Sequence, residues 1–462
     1  MKIKRIAFGF LILSLLACNY VTQMIAPPTA TPTPTASQTP TSSPTPTPVP
    51  LVPAFIPAEC GSAPLATIPP EAALAQPTLE IEANPEVSQG EQQRILRELA
   101  NIVEDKYVYP DFNGKDWNEI ESRYQGKIEA GLDTESFYRE MQAMIEELQD
   151  EHSFFLSPVE VKQTEAELKG EAQFVGVGIY SKPDLENQRL VVISTFPGSP
   201  ADQGGIQPHD SILLVDGVPL ELETGNRLRG PECSATIITV QSPGEAPREV
   251  MLVRQAIQGG LDIEARLVAT TDGSKIGYIF IPTFFDETIP PQIENALNEF
   301  GQLDGLILDV RLNSGGSSSV ADPILEHFAS GRLGQFVSRA SSRSMDVDAN
   351  PIHNSQTVPI VVVVSKDTVS YGEIFAGVLR DSRGAKIVGE TSLGNVEVLH
   401  GYDFDDGSQV WIASETFFPE HSDENWEQTG IVPDVQAFAE WETFYFETDP
   451  SVAAAITLLG HK

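Results

Sequence analysis

Residues 360–379, IVVVVSKDTVSYGEIFAGVL, form the stretch that decides the fold. Five consecutive β-branched residues, Ile360–Val364, predict a strand buried on both faces, and a short polar loop follows them. Apolar residues then recur at helical spacing, at Ile374, Phe375, Val378 and Leu379. Ser370 is therefore expected at a helix N-terminus, where free amides and the helix dipole can stabilise an oxyanion. Taken alone, this stretch favours a structural N-cap serine over a nucleophile.

A second strand runs into a glycine turn. Residues 306–316, LILDVRLNSGG, join an apolar strand to paired glycines that let the backbone come close to a ligand. Gly277–Ile281 is another apolar strand, and an amphipathic helix is expected behind Pro290. Alternating strands and helices after Gly260 predict an α/β domain.

Two further regions precede this domain. Helical periodicity begins near Glu91 and predicts a small helical segment that ends at residues 150–153, Asp-Glu-His-Ser. From Phe174 to Arg254 the pattern changes to short alternating strands separated by Pro/Gly turns, which predicts a separate β-rich module.

The two segments around the glycine turn and Ser370 together resemble the tail-specific, or carboxyl-terminal processing, serine peptidases and their relative the tricorn protease. The hallmark of that family is a D-x-R-x-N-x-G-G turn followed by a strand, a serine and a helix. The turn is matched by Asp309, Arg311, Asn313, Gly315 and Gly316. The resemblance covers roughly residues 90–440. It implies an α+β multidomain chain with an N-terminal helical segment, a PDZ-like β-rich module and an α/β peptidase core of the ClpP/crotonase type.

The same resemblance assigns roles at the site. Ser370 is the expected nucleophile, and Gly315 or Gly316 with the backbone amide of Tyr371 are the expected oxyanion donors. Residues 174–179 are similar to the carboxylate-binding loop of a PDZ domain, which implies peptide binding at Val175, Gly176, Val177 and Gly178. His209 stands where such domains usually have a glycine, and an inert spacer of PDZ shape is the alternative. No metal or organic cofactor is implied.

The general base is where the sequence departs from the family. The family's catalytic lysine falls at Asn395, whose amide cannot accept the serine proton. Two segments resemble the tricorn branch instead and imply His152 as general base and Glu427 as orienting carboxylate, which gives a Ser370–His152–Glu427 relay. Tricorn has a serine just before its histidine where this chain has Glu151, so either Glu151 or Glu427 is left to orient the imidazole. The rival hypothesis is a catalytically inactive, PDZ-containing peptide-binding lipoprotein of the same fold.

The N-terminus predicts export to a bacterial cell envelope. Residues 1–17 combine a basic end with a short apolar run, as in a secretory signal, and Cys18 follows a sequence that resembles the lipobox in which the cysteine is acylated. Residues 18–58 are Pro/Thr-rich and predict an extended stalk. The expected protein is therefore extracytoplasmic and anchored to the membrane through lipidated Cys18. Cys60 and Cys233 either pair or stay as free thiols in such a compartment.

The expected division of the chain follows from these patterns. Residues 59–89 have no clear assignment, 90–158 are the helical segment, 170–256 the PDZ-like domain, 260–440 the peptidase core and 441–462 a C-terminal segment. A formal charge of −37 argues against nucleic acid as a partner. The expected partners are polypeptide substrates, bound through a C-terminus or an extended segment, and the membrane. The sequence does not reveal the oligomeric state.

Overall fold

The computed structural model describes residues 52–53, 55–61, 83–150, 152–171, 173–220 and 227–461. The predicted signal sequence and Cys18 lie outside these residues. The helices are α1 Gln89–Lys106, α2 Trp117–Ala130, α3 Thr134–Glu146, α4 Pro158–Leu168, α5 Pro200–Gln203, α6 Ile289–Phe300, α7 Ser318–Glu326, α8 Tyr371–Arg383, α9 Trp426–Thr429 and α10 Pro450–Leu458.

Within the described ranges, the strands fall into four sheets. They are β1 Phe154–Leu156, β2 Gln173–Gly176, β3 Ile179–Asp184, β4 Arg189–Thr195, β5 Ser211–Val215, β6 Val218–Pro219, β7 Ala235–Gln241, β8 Arg248–Val253, β9 Gln255–Gln258, β10 Glu264–Val268, β11 Ile276–Phe280, β12 Gly305–Asp309, β13 Gly331–Val337, β14 Ser342–Val347, β15 Ile360–Val364, β16 Lys386–Gly389, β17 Glu397–Asp403, β18 Gln409–Pro419 and β19 Val435–Gln436.

The six-stranded sheet of the predicted α/β domain has the order β10-β11-β12-β15-β16-β19 and is parallel from β11 onward. Both faces are covered, because one set of strand side chains packs on α6, α7 and α8 and the other on α10 and Trp441. This double coverage explains why β12 and β15 read as continuous apolar runs in the sequence. The predicted α/β domain is confirmed.

The N-terminal helices share a hydrophobic core with a second sheet. Helices α1, α2 and α3 bury their apolar faces against β1 and β18, with Val410 and Ile412 among the contacts. Ser88 and Glu91 form a capping box that starts α1. Strand β1 pairs with β18 in register Phe154↔Trp411, so this helical segment is part of the same packed body as the core.

The PDZ-like module comprises the sheet β3-β4-β5-β7-β8, with β6 on β5, and the separate pair β2–β9. It contacts the core through the His209 ring, which stacks on Trp441 with ring centroids 3.9 Å apart. A disulfide joins Cys60 to Cys233, with their Cα atoms 5.2 Å apart, and so ties the segment before the helices to this module.

Among the described residues, no helix has the length and apolar character needed to cross a bilayer.

Candidate active site

Ser370 occupies a sharp turn between β15 and α8. Its backbone has φ 55° and ψ −124°, a conformation that is costly for a residue with a side chain. Two hydrogen bonds hold the turn, since the Ser370 amide donates to the Asn395 carbonyl at 3.0 Å and to the Glu373 carboxylate at 3.2 Å. A strained serine between a buried strand and a helix N-terminus is an arrangement typical of a nucleophile.

Glu373 organises the loop that faces this turn. Its fully buried carboxylate accepts hydrogen bonds from the Ser392 hydroxyl at 2.6 Å, from the Gly394 amide at 2.7 Å and from the Asn395 amide at 2.8 Å, besides that of Ser370. Burial raises the pKa of Glu373, whereas these donors favour its ionised form. The Glu373 side chain therefore holds both the Ser370 turn and residues 394–395, the segment that resembles the lysine-bearing turn of the processing peptidases.

The glycine turn lies against Ser370. A Cβ on Gly315, whose φ is 100°, would stand 2.8 Å from the Ser370 Cβ and 3.2 Å from its hydroxyl oxygen. A Cβ on Gly316, whose φ is 141°, would stand 2.2 Å from the Phe284 carbonyl carbon. Both positions therefore require glycine, and the turn borders the space in which a carbonyl attacked by Ser370 would lie.

The two glycines differ in what their amides can bind. The Gly315 amide donates to the buried Asn313 side chain at 2.9 Å, so it is already engaged. The amides of Gly316 and Tyr371 have no acceptor in the described part of the chain. Of the three predicted oxyanion donors, Gly316 and Tyr371 are thus the ones whose amides are free to receive a ligand.

Arg311 anchors this turn to the rest of the core. Its buried guanidinium lies 2.6 Å from both the Asp309 and the Asp449 carboxylates, and these two charges raise the Arg311 pKa despite the burial. Tyr278 donates its hydroxyl to Asp309 at 2.8 Å. The Asp and Arg of the family turn are therefore buried scaffold rather than groups that can meet a substrate.

His152 lies two residues before β1, and both β1 and β17, which begins at Glu397, pair with β18. Its Nδ1 is 3.3 Å from the Glu397 carboxylate, and the two side chains are only 8% and 3% exposed. The N–H direction is poorly aligned, so Nδ1 has a contact at hydrogen-bond distance without a good hydrogen bond. Catalytic hydrogen bonds are often loose in this way before a substrate binds.

The carboxylate beside His152 is not the predicted one. Glu427 forms no ion pair with His152; instead it accepts a hydrogen bond from the Val396 amide at 2.7 Å. Burial and the neighbouring Glu397 charge raise the pKa of Glu427 to about 8. Glu151, the other predicted candidate, lies outside the described residues. Sequence reasoning missed both Glu373 and Glu397; the only signal for them was their position just after Ser370 and Asn395.

The predicted peptide-binding loop of the PDZ-like module is partly occupied by the chain itself. The Val177 amide donates to the Leu228 carbonyl at 3.2 Å, and Gly230 donates to the Val175 carbonyl at 3.2 Å. Gly176 forms a bridge with Arg229 between these two bonds. A peptide carboxylate at this loop would therefore have to displace Leu228 from the Val177 amide.

Comparisons with known proteins agree with this architecture. Residues 275–437 match the model of peptidase family S41, residues 88–149 the tricorn protease C1 domain and residues 165–224 the PDZ domain. The carboxyl-terminal-processing protease of Synechocystis sp. is 28% identical over 353 residues, which cover 74% of this chain and 80% of that protein. Its counterpart from Picosynechococcus sp. is 29% identical over 390 residues, which cover 80% and 89%.

A solved structure, the photosystem II D1 C-terminal processing protease, is similar with a TM-score of 0.54 and 25% identity, over 77% of this chain and 94% of that one. The fold and the serine turn thus define a serine peptidase with a PDZ domain. The chain belongs to the carboxyl-terminal processing peptidases of family S41.

Proposed function

We propose that the protein is an exported, lipid-anchored endopeptidase that cleaves extended or C-terminal segments of polypeptides, with Ser370 as nucleophile and His152 as general base. The observation that carries the proposal is the strained Ser370 turn packed against Gly315, with the Gly316 and Tyr371 amides free beside it. The substrate class comes from the relatives, which are named as carboxyl-terminal-processing proteases.

The chemistry follows the usual course of acyl transfer. The Ser370 oxygen bonds to the scissile carbonyl carbon while His152 takes the hydroxyl proton. The carbonyl oxygen becomes an oxyanion, to which the Gly316 and Tyr371 amides donate hydrogen bonds in the proposed mechanism. The C–N bond then breaks as His152 returns the proton to the leaving amine, and water releases the acyl group by the reverse sequence.

The cellular location is the other part of the proposal. It rests on the signal-like residues 1–17 and on Cys18, which would carry the lipid. The Cys60–Cys233 disulfide supports it, because such bonds persist in oxidising compartments outside the cytosol. Labelling with a radioactive fatty acid in a bacterial host, compared between the natural chain and Cys18→Ala, tests the anchor; equal labelling would refute it.

A fluorophosphonate probe tests the catalytic roles. The natural chain is expected to be labelled at Ser370 and to cleave an unfolded casein, and Ser370→Ala is expected to abolish both. His152→Ala is expected to slow labelling by about 10³-fold or more. A folded natural chain that is not labelled would instead support a peptide-binding protein without catalysis, as the Asn395 replacement suggested.

A further inference from the structure

Glu397 is a buried carboxylate that contacts the proposed base and has a hydrogen-bond donor of its own. One of its oxygens lies 3.3 Å from His152 Nδ1, and the other accepts a hydrogen bond from the Tyr109 hydroxyl. Tyr109 is half-buried and precedes α2, so groups from three separate parts of the chain meet here. A carboxylate that is hydrogen-bonded to one ring nitrogen orients an imidazole and fixes which nitrogen carries the proton, and a small alignment of the Nδ1–Glu397 contact would complete that bond.

The position of Glu397 is set by rigid elements. It is the first residue of β17 and pairs with Thr416 of β18, while β1, which follows His152, pairs with the same strand β18. The segment just before Glu397 reaches the nucleophile, because the Asn395 carbonyl accepts the Ser370 amide at 3.0 Å. The loop between Asn395 and Glu397 therefore links the serine turn to the histidine.

Three groups that interact with Glu397 have raised pKa values. They are Tyr107, Tyr109 and Glu427, and the Asp150 carboxylate interacts with the same two tyrosines. Burial raises the pKa of both tyrosines above the ordinary value, so they stay neutral donors. Burial and the Glu397 charge likewise raise the pKa of Glu427 to about 8, which leaves that carboxyl largely protonated at neutral pH. Glu397 is the carboxylate that contacts the His152 ring, whereas the Asp150 carboxylate accepts hydrogen bonds from the backbone amides of His152 and Ser153.

We propose that Glu397 is the positioning residue of the proton relay: it holds His152 through Nδ1, leaves Nε2 for the serine proton, and is itself held by Tyr109. This inference rests on the proposed function, since it presumes that His152 accepts the proton of Ser370. It moves the orienting role from Glu427, where the family pattern puts it, to a side chain on the loop that replaces the catalytic lysine.

The test compares Glu397→Gln with Glu427→Gln in the full chain, because both remove one carboxyl from the same cluster. Glu397→Gln is expected to slow fluorophosphonate labelling and casein cleavage by about 10²- to 10⁴-fold at neutral pH, mainly in kcat. The acidic limb of its pH–rate profile is expected to move down by about one pH unit, since a neutral amide no longer favours the protonated imidazole. Glu427→Gln is expected to lose less than about tenfold. A merely structural role for Glu397 would not move the pH profile.

Tyr109→Phe provides a second measurement that does not depend on the folding of Glu397→Gln. It removes only the hydroxyl that donates to Glu397 and is expected to slow labelling roughly tenfold. Equal labelling of Glu397→Gln and the natural chain, or a larger loss in Glu427→Gln than in Glu397→Gln, would overturn the role of Glu397. A natural chain that does not react, or a His152→Ala variant that reacts at full rate, would overturn the proposed function itself, so the two failures are told apart.

Discussion

Replacing Glu373 by glutamine probes how the serine turn is held. The carboxylate accepts four hydrogen bonds, two at each oxygen. Glutamine keeps one accepting oxygen and turns the other into a donor. The least costly orientation points its NH₂ at Ser392, whose hydroxyl can accept instead, and this leaves the partly buried Gly394 amide without an acceptor. One such orphaned amide costs about 1–3 kcal/mol, and the loss of charge weakens the remaining bonds to Ser370 and Asn395 by about 1 kcal/mol more.

We therefore expect Glu373→Gln to lower the free energy of unfolding by about 2–4 kcal/mol. Urea unfolding followed by tryptophan fluorescence measures this, because Trp426 is buried in the same core as α8. Fluorophosphonate labelling of Ser370 is expected to slow as well, since the Ser370 amide loses its charged partner. Glu299→Gln, on an exposed position of α6, is the matched control and should change stability by less than about 0.5 kcal/mol. A Glu373→Gln chain that matches the control in both measurements would refute this account of the turn.

Three further predictions concern other features. Gly316→Ala is expected to slow fluorophosphonate labelling of Ser370 about 10²-fold, because the added Cβ would stand 2.2 Å from the Phe284 carbonyl carbon and displace the turn. Gly90→Ala is the control, since a Cβ at that position meets no atom within 4 Å. Equal labelling rates in the two variants would contradict the oxyanion role of Gly316. Replacing both Cys60 and Cys233 by serine should lower the free energy of unfolding by about 2–5 kcal/mol. An unchanged thermal unfolding midpoint of the natural chain after addition of a reductant would count against this prediction. The raised pKa of Glu427 means that the folded state binds the Glu427 proton more tightly than the unfolded state does, so the free energy of unfolding should fall as pH rises from about 4.5 to 8. Glu427→Gln should remove this part of the decline. Parallel stability–pH curves for the natural chain and Glu427→Gln would contradict the prediction.

Much of the fold was predictable because its signals are local. The continuous apolar runs of β11, β12 and β15 and the apolar spacing in α8 are properties of short segments, and the structure confirms them at those places. The position of Ser370 was also predictable, since a strand, a polar loop and a helix must leave this residue at the helix N-terminus. The family resemblance then fixed the order of the larger parts.

The partners of the site were less predictable because they depend on distant contacts. No periodicity in the sequence shows that Glu397 meets His152, since the two residues are brought together only when β1 and β17 both pair with β18. The same applies to Asn313. Its position in the family turn was clear from the sequence, but the hydrogen bond that its side chain accepts from the Gly315 amide becomes visible only in the folded turn. The engagement of Val177 by Leu228 likewise depends on how the PDZ-like module closes on itself.

The pairing of β1 with β18 has a consequence for the order in which the enzyme becomes active. His152 is synthesised early, but the strand that holds its neighbour β1 ends only at Pro419, near the end of the chain. Under the proposed mechanism, a ribosome-bound chain that has been synthesised only as far as α8 already contains Ser370 and His152, but it lacks the strand on which β1 is held, and so the proposed base is not yet fixed in place.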